Sequence, residues 1–295
     1  MTSSPPSHDQ SSEPDHKASP ELWRRIGSAV FLAALTLAAL VISPWTFLIL
    51  VIASATILFW EWGAATRATG GDATTIIQVA SVTATVIFVA VHKFELAAIV
   101  FGATVLTLFI SGYQKKTPRE ARLDAGGLIY VALPAAALVW LRSDPSHGAT
   151  ASYGLTAILF VLLVSWTTDT ASYVGGRTFG GPKFAPTISP KKTWSGFVIG
   201  IVTPMLVGVL FAFYLGNSSP VALAVVALVL AFACQMGDLL ESAVKRSLGI
   251  KDMSQLIPGH GGFFDRIDSL LMAAVVAALI ALRNPAFPGA GLLIW

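Results

Sequence analysis

Two stretches of the chain carry most of the residue types that could do chemistry. The first is 166–196, WTTDTASYVGGRTFGGPKFAPTISPKKTWSG, and the second is 237–268, GDLLESAVKRSLGIKDMSQLIPGHGGFFDRID. Both mix carboxylates, amines, glycines and prolines between long apolar runs. In the second, Asp238, Glu241, Ser242 and Lys245 are spaced so that on a helix they share one face, and acids, hydroxyl and amine converge. A magnesium ion keeps much of its water and is held by one or two carboxylates plus substrate phosphates, and Asp238 and Asp265 are the carboxylates assigned to it. The stretch closes on Pro258, Gly259, His260, Gly261 and Gly262, followed by Asp265 and Asp268 three residues apart. Backbone amides at a helix N-terminus preceded by glycines form an anion site, so a phosphate is expected near Gly261 and Gly262. Asp268 also suits the positive end of that helix. His260 is open between a proton carrier, a hydrogen-bond donor to phosphate and a turn residue.

In the first stretch, Asp169 lies inside an apolar run, with Ser172, Tyr173 and Gly176 on its helical face. A carboxylate at membrane depth is costly unless it pairs or binds a cation, so it marks a functional site or, failing that, a packing pair with a neighbouring helix. Gly175, Gly176, Gly180 and Gly181 precede Ser189-Pro190-Lys191-Lys192-Thr193, which leads into the next apolar run. Glycines let a backbone approach a ligand closely and lysines add positive charge, which suits an anion, although a basic loop ahead of a helix is also ordinary membrane topology. The chemistry indicated is that of a metal and phosphates.

The elements that position these residues are membrane helices. Of 295 residues, 55% are hydrophobic and 12% charged, with mean hydropathy +0.72, against about 25% charged in an ordinary soluble domain. The apolar residues come in blocks of roughly twenty, enough to cross a hydrocarbon layer of ~30 Å as helices. The fold class expected is an all-α polytopic bundle of about nine spans: 26–43, 45–61, 76–92, 95–112, 127–142, 152–176, 194–216, 219–241 and 264–283. With a cytoplasmic N-terminus, sixteen of the 19 Lys and Arg residues fall on the cytoplasmic side, against Lys93, Arg142 and Arg283 on the other, as the positive-inside rule requires.

Residues 1–25 are polar and expected to form a disordered cytoplasmic tail, with no cleavable signal peptide. Transmembrane regions 26–150 and 151–295 follow, the second catalytic. The basic cluster Lys115, Lys116, Arg119 and Arg122 reads as attraction to anionic lipid, and Trp23, Trp45, Trp62, Trp140 and Trp194 as an interfacial belt. Cys234, the single cysteine, reads as a buried core residue.

The run 242–268, SAVKRSLGIKDMSQLIPGHGGFFDRID, resembles the signature of the phosphatidate cytidylyltransferases, or CDP-diacylglycerol synthases. A second feature of that family is matched by Asp169-Thr170-Ala171-Ser172-Tyr173 with Gly175, Gly176 and Gly180, and by Ser189 to Thr193. The resemblance is specific over the C-terminal half and covers the N-terminal half only as a series of spans. Where the family commonly has a glutamate, this chain has Ser195 before Gly196, so position 195 supplies no essential acid.

The resemblance implies a Mg²⁺-dependent transferase, with a K⁺ ion beside the magnesium, working as a homodimer on CTP and phosphatidic acid. It would sit in the cell (inner) membrane with its site facing the cytoplasm, and nucleic acid is not among the expected partners. Residues and resemblance together nominate Asp238, Asp265, Lys245 and Arg266 as catalytic and Asp169, Asp238 and Asp265 as metal ligands. For substrate binding they nominate Ser189, Lys191, Lys192, Thr193, Ser242, Arg246, Lys251, Asp252, His260, Gly261 and Gly262. Three rivals are weighed against this. A secondary transporter would bind a coupling ion at Asp169 and Asp238, but these acids lie towards one face and no internal repeat is found. A CTP-using lipid or polyprenol kinase would need an evident base, and a CDP-alcohol phosphotransferase would need a D-G-x-x-A-R pattern that is missing.

Overall fold

The computed structural model describes residues 20–67, 71–115, 117–146, 152–256 and 261–295. His260, Lys116 and residues 1–19 of the expected tail lie outside the described residues. Helices run α1 (Pro20–Ile42), α2 (Pro44–Arg67), α3 (Ala73–Ala90), α4 (Phe94–Lys115), α5 (Pro118–Arg142) and α6 (Tyr153–Phe179). A short ribbon follows, β1 (Lys183–Ala185) and β2 (Ser189–Thr193), then α7 (Trp194–Val202), α8 (Met205–Leu215), α9 (Pro220–Ser247), α10 (Phe264–Ala281) and α11 (Pro288–Leu293).

Helix starts follow local chemistry. Asp72, Thr117, Ser152, Thr193 and Ser219 each cap the helix that follows, their side chains accepting a backbone N–H of its first turn. Pro44, Pro118 and Pro220 occupy first helical positions, where a missing N–H costs nothing. Among the described residues, five of the first six helices (α2 to α6), the α7–α8 rod and α9 are long and apolar enough to cross a membrane. The first expected span has a shorter apolar run, Gly27–Ile42. The last opens with Asp265, Arg266 and Asp268, which lower its apolar content. Large apolar side chains face outward, as with Val221 at 74% and Phe213 at 71% exposure, an arrangement suited to hydrocarbon and not to water.

The structure departs from the sequence reading in five places. Helix α1 begins at Pro20, inside the stretch expected to be tail. The span 194–216 is broken at Pro204, which has no N–H to give, so α7 and α8 form two pieces of one rod. The loop after Asp169 contains an antiparallel hairpin, pairing Lys183 with Thr193 and Ala185 with Ser189. Trp62 belongs to the core, 3% exposed, its Nε1 donating to Leu123 O at 3.1 Å and its ring against Phe264. Finally, α11 folds back after the last span and buries Leu292 and Leu293.

Membrane helices gain little from apolar burial against one another, so close backbone approach and buried polar pairs hold the bundle. Gly196 and Gly200 of α7 lie against α6: a Cβ on Gly200 would fall 1.8 Å from Ser172 Oγ, and one on Gly196 2.7 Å from Ser172 O. At the join of α2, α3 and α5, buried Arg67 reaches Asp124 Oδ1 at 2.6 Å, Asp72 Oδ2 at 2.8 Å and Thr75 Oγ1 at 2.7 Å. Helix α10 packs on α5 as well as α6 and α9, so the N- and C-terminal transmembrane regions share one core.

Candidate active site

Helices α6, α9 and α10 and strand β2 enclose a polar cavity of about 650 Å³ at one end of the bundle. Asp169 comes from α6, Lys191, Lys192 and Thr193 from β2, Asp238, Glu241 and Lys245 from α9, and Asp265, Arg266 and Asp268 from α10. Proximity of α9 and α10 depends on Gly237, where a Cβ would lie 2.7 Å from Asp268 O. The ribbon is pressed into place by Phe184, whose ring stacks on Phe197 at 4.2 Å and meets Trp194 edge-on at 4.6 Å.

The charged groups are mutually paired. Lys192 Nζ lies 2.7 Å from Asp238 Oδ2, and Lys245 Nζ sits between Asp265 Oδ1 at 2.5 Å and Glu241 Oε2 at 2.6 Å. Glu241 is buried, and this ammonium is the charge that balances its carboxylate. Ser269 donates from its hydroxyl to Asp169 Oδ2 at 3.0 Å and from its amide to Asp268 Oδ1 at 2.8 Å. Asp265 Oδ2 accepts the amides of Gly262 at 2.9 Å and Met253 at 3.2 Å.

Glu61 of α2, fully buried, organises the glycine turn. It accepts the amide of Phe263 at 2.8 Å, that of Phe264 at 2.7 Å and the hydroxyl of Ser254. The helix-terminus amides offered to a phosphate by the sequence argument are therefore engaged by Glu61 and Asp265. Gly262 is squeezed between them, with room for no side chain: a Cβ would lie 2.7 Å from Asp265 Oδ2 and 3.1 Å from Glu61 Oε1.

Of the nominated residues, Asp169, Asp238, Asp265, Lys191, Lys192, Thr193, Lys245 and Arg266 line the one cavity. Thr193 also caps α7, accepting the amide of Gly196 at 3.2 Å. The others take supporting places. Ser189 pairs with Ala185 in the ribbon, and Ser242 Oγ lies 3.5 Å from Asp238 Oδ1. Arg246 donates to Ile188 O at 3.3 Å, tying α9 to the hairpin turn. Lys251 and Asp252 are exposed outside the lining, and Gly261 lies beside Asp252. Sequence reasoning missed Glu61, Arg177 and Gln235 as part of this assembly. For Glu61 the signal was present: an acid within the apolar run Leu58 to Trp62, the argument already applied to Asp169.

Among the described residues, no three acids converge as a ready-made metal cage. The oxygen donors of Asp169, Asp238 and Asp268 on one cavity fit a hard divalent cation that takes water and phosphate oxygens for its remaining ligands. Amines of Lys191, Lys192 and Lys245 and the guanidinium of Arg266 line the same space. Acids and bases interleaved around one cavity at the end of a bilayer-sized bundle can hold a cation and a polyphosphate together.

The sequence matches the cytidylyltransferase family over residues 23–282, most of the chain. The chain belongs to that family. Among its relatives, the phosphatidate cytidylyltransferase of Brucella suis is 43% identical over 155 residues, which cover 52% of this chain and 55% of the relative. The phosphatidate cytidylyltransferase of Rickettsia bellii is 38% identical over 161 residues, 52% of this chain and 67% of the relative. The match thus spans about half the length of the Brucella protein. In this family member the residues nominated as catalytic and as metal ligands all line one cavity.

Proposed function

We propose that this chain is a CTP:phosphatidate cytidylyltransferase, moving CMP from CTP to phosphatidic acid to give CDP-diacylglycerol and pyrophosphate. One observation carries the reading: Asp169, Asp238, Lys192, Lys245, Asp265 and Arg266, far apart in sequence, line one polar cavity at the end of an apolar bundle. Names of the relatives from Brucella and Rickettsia support it.

In this reaction a phosphate oxygen of phosphatidic acid attacks the α-phosphorus of CTP. A new P–O bond forms as the bond to the β-phosphate bridging oxygen breaks, and its electron pair leaves with pyrophosphate. The attacking oxygen is already anionic near neutral pH, so positioning and charge neutralisation matter more than a base. Lys191, Lys192, Lys245 and Arg266 bind and orient the phosphates, while the Glu61-held turn fixes Asp265 and, through it, Lys245. A Mg²⁺ ion would be held by Asp169 and Asp238 and would supply Lewis-acid neutralisation of phosphate charge. Asp265, nominated with them, has its oxygens taken by Lys245 and by the amides of Gly262 and Met253 and serves to place that lysine. A neighbouring K⁺ and a homodimer belong to the same reading through the family resemblance.

The skewed distribution of Lys and Arg supports a cytoplasmic N-terminus and a site opening to the cytoplasm at the inner membrane. There CTP arrives from water and phosphatidic acid from the leaflet. The test is purified protein in detergent with α-labelled CTP, Mg²⁺ and phosphatidic acid. Labelled CDP-diacylglycerol is expected, with D238N at least a hundredfold slower yet still inserted. Labelled lipid from γ-labelled CTP would point instead to a kinase, and wild-type turnover by D238N would remove Asp238 from the site.

A further inference from the structure

A second cavity, about 440 Å³, runs between α1 and the helices α2, α5, α6 and α10. Its walls are almost wholly apolar, and Arg266 is the charged residue that it shares with the polar cavity. Along α2 the walls extend from residue 58, near the site end, to residue 47; along α1 they extend from residue 28 to residue 36. Eleven residues of α2 at 1.5 Å each give a length of about 16 Å. That is roughly half of a hydrocarbon layer of ~30 Å, the depth of a single leaflet.

Protein interiors leave few voids larger than a water molecule, because unfilled space forfeits contacts on every wall. A dry apolar crevice of this size within a bilayer fills with hydrocarbon. It begins where the phosphate-binding cavity ends, and the guanidinium between the two suits a phosphate joined to an apolar tail. We propose that this crevice holds one acyl chain of the phosphatidic acid substrate, with its phosphate drawn to Arg266. The inference rests on the proposed activity and adds to it the route of the lipid between α1 and α10.

The α1 wall offers a half-buried small residue, Ala33, whose enlargement fills the crevice without touching the polar cavity. A33W is expected to raise KM for dipalmitoyl phosphatidic acid roughly tenfold, leaving KM for CTP and turnover of dihexanoyl phosphatidic acid near wild type. Equal treatment of long and short chains by A33W would overturn the inference. An independent readout is photolabelling of the wild-type protein in vesicles by phosphatidic acid carrying a diazirine in its acyl chain. Label on the crevice walls of α1, α2 or α5, suppressed by unlabelled phosphatidic acid, supports the assignment. Equal labelling by a diazirine phosphatidylcholine, or label confined to outward positions such as Phe213 and Val221, refutes it. If wild type turns over neither lipid, the proposed activity fails, and the labelling still decides whether an acidic lipid occupies the crevice.

Discussion

Replacing Glu61 tests whether the glycine turn is held from α2. Its carboxylate receives the amides of Phe263 and Phe264 and the Ser254 hydroxyl, wholly away from solvent. In E61A two buried amides lose their acceptor, at about 1–3 kcal/mol each. Removing a negative charge from the first turn of α10 adds about 0.3–2 kcal/mol. A total near 4 kcal/mol, with tenfold for every ~1.4 kcal/mol, raises the population of an opened turn by about three orders of magnitude. E61Q keeps one acceptor oxygen but turns an NH₂ towards an amide, so it should fall between wild type and E61A. Initial rates of CDP-diacylglycerol formation, with thermal unfolding in detergent, should rank wild type, E61Q, E61A. The E61A rate should fall at least tenfold, because a displaced turn releases Asp265 and with it Lys245. An E61A variant with the wild-type rate and melting temperature would refute the reasoning.

Other perturbations follow the same geometry. G262A places a Cβ against Asp265 Oδ2 and Glu61 Oε1, so it should cost about 1–3 kcal/mol of overpacking, seen as a lower melting temperature and slower turnover. G200A pushes α7 from α6 through Ser172 and Gln235, which are hydrogen-bonded to each other, and should lower the melting temperature of the whole bundle. Burial works against ionisation of Asp72, but the Thr75 amide and the Arg67 side chain outweigh it and hold its carboxyl below the ordinary value. A carboxylate with a depressed folded-state pKa stabilises above its unfolded-state pKa and loses that contribution as pH falls through the folded value. D72N should therefore lower the melting temperature at neutral pH and flatten its decline in acid.

The chemical residues were legible because acids and amines stand out in apolar runs. Asp169, Asp238, Asp265, Lys192 and Lys245 were all nominated, and all reach one cavity. What each touches was legible only in part. Spacing along α9 puts Asp238, Glu241 and Lys245 on one face, and Glu241 and Lys245 do pair there, yet Asp238 and Lys245 also take partners that spacing does not reveal, Lys192 of β2 and Asp265 of α10. Glu61 stands out as an acid in a span, but its partners do not: nothing in that run points to amides some 200 residues away. The hairpin escaped because Pro186 and Pro190 interrupt a short run that reads as loop, and its support comes from Phe197, beyond the run. Trp62 lies near a span end and fits an interfacial belt by position; only the packing of Tyr130 and Phe264 around it makes it core.

The balance of charge around the cavity bears on how a polyphosphate could bind there. Asp169, Asp238, Glu241, Asp265 and Asp268 face Arg177, Lys191, Lys192, Lys245 and Arg266, five acids against five bases. A lining that is formally neutral gives a nucleotide triphosphate little net attraction, so its charge must be met by rearranging the pairs or by cations that come with it. The Lys192–Asp238 pair, partly open to solvent, is the one best placed to separate: Lys192 can turn to a phosphate while Asp238 becomes available to a cation. Removing that amine should therefore have opposite effects on the two ligands. In K192M, calorimetric titration without nucleotide should show tighter binding of Mg²⁺, because Asp238 no longer has an ammonium competitor. CTP affinity should fall by about tenfold, as expected for loss of one charge-assisted contact. Weaker binding of both ligands would mean that Lys192 supports the fold of the site and does not exchange partners within it.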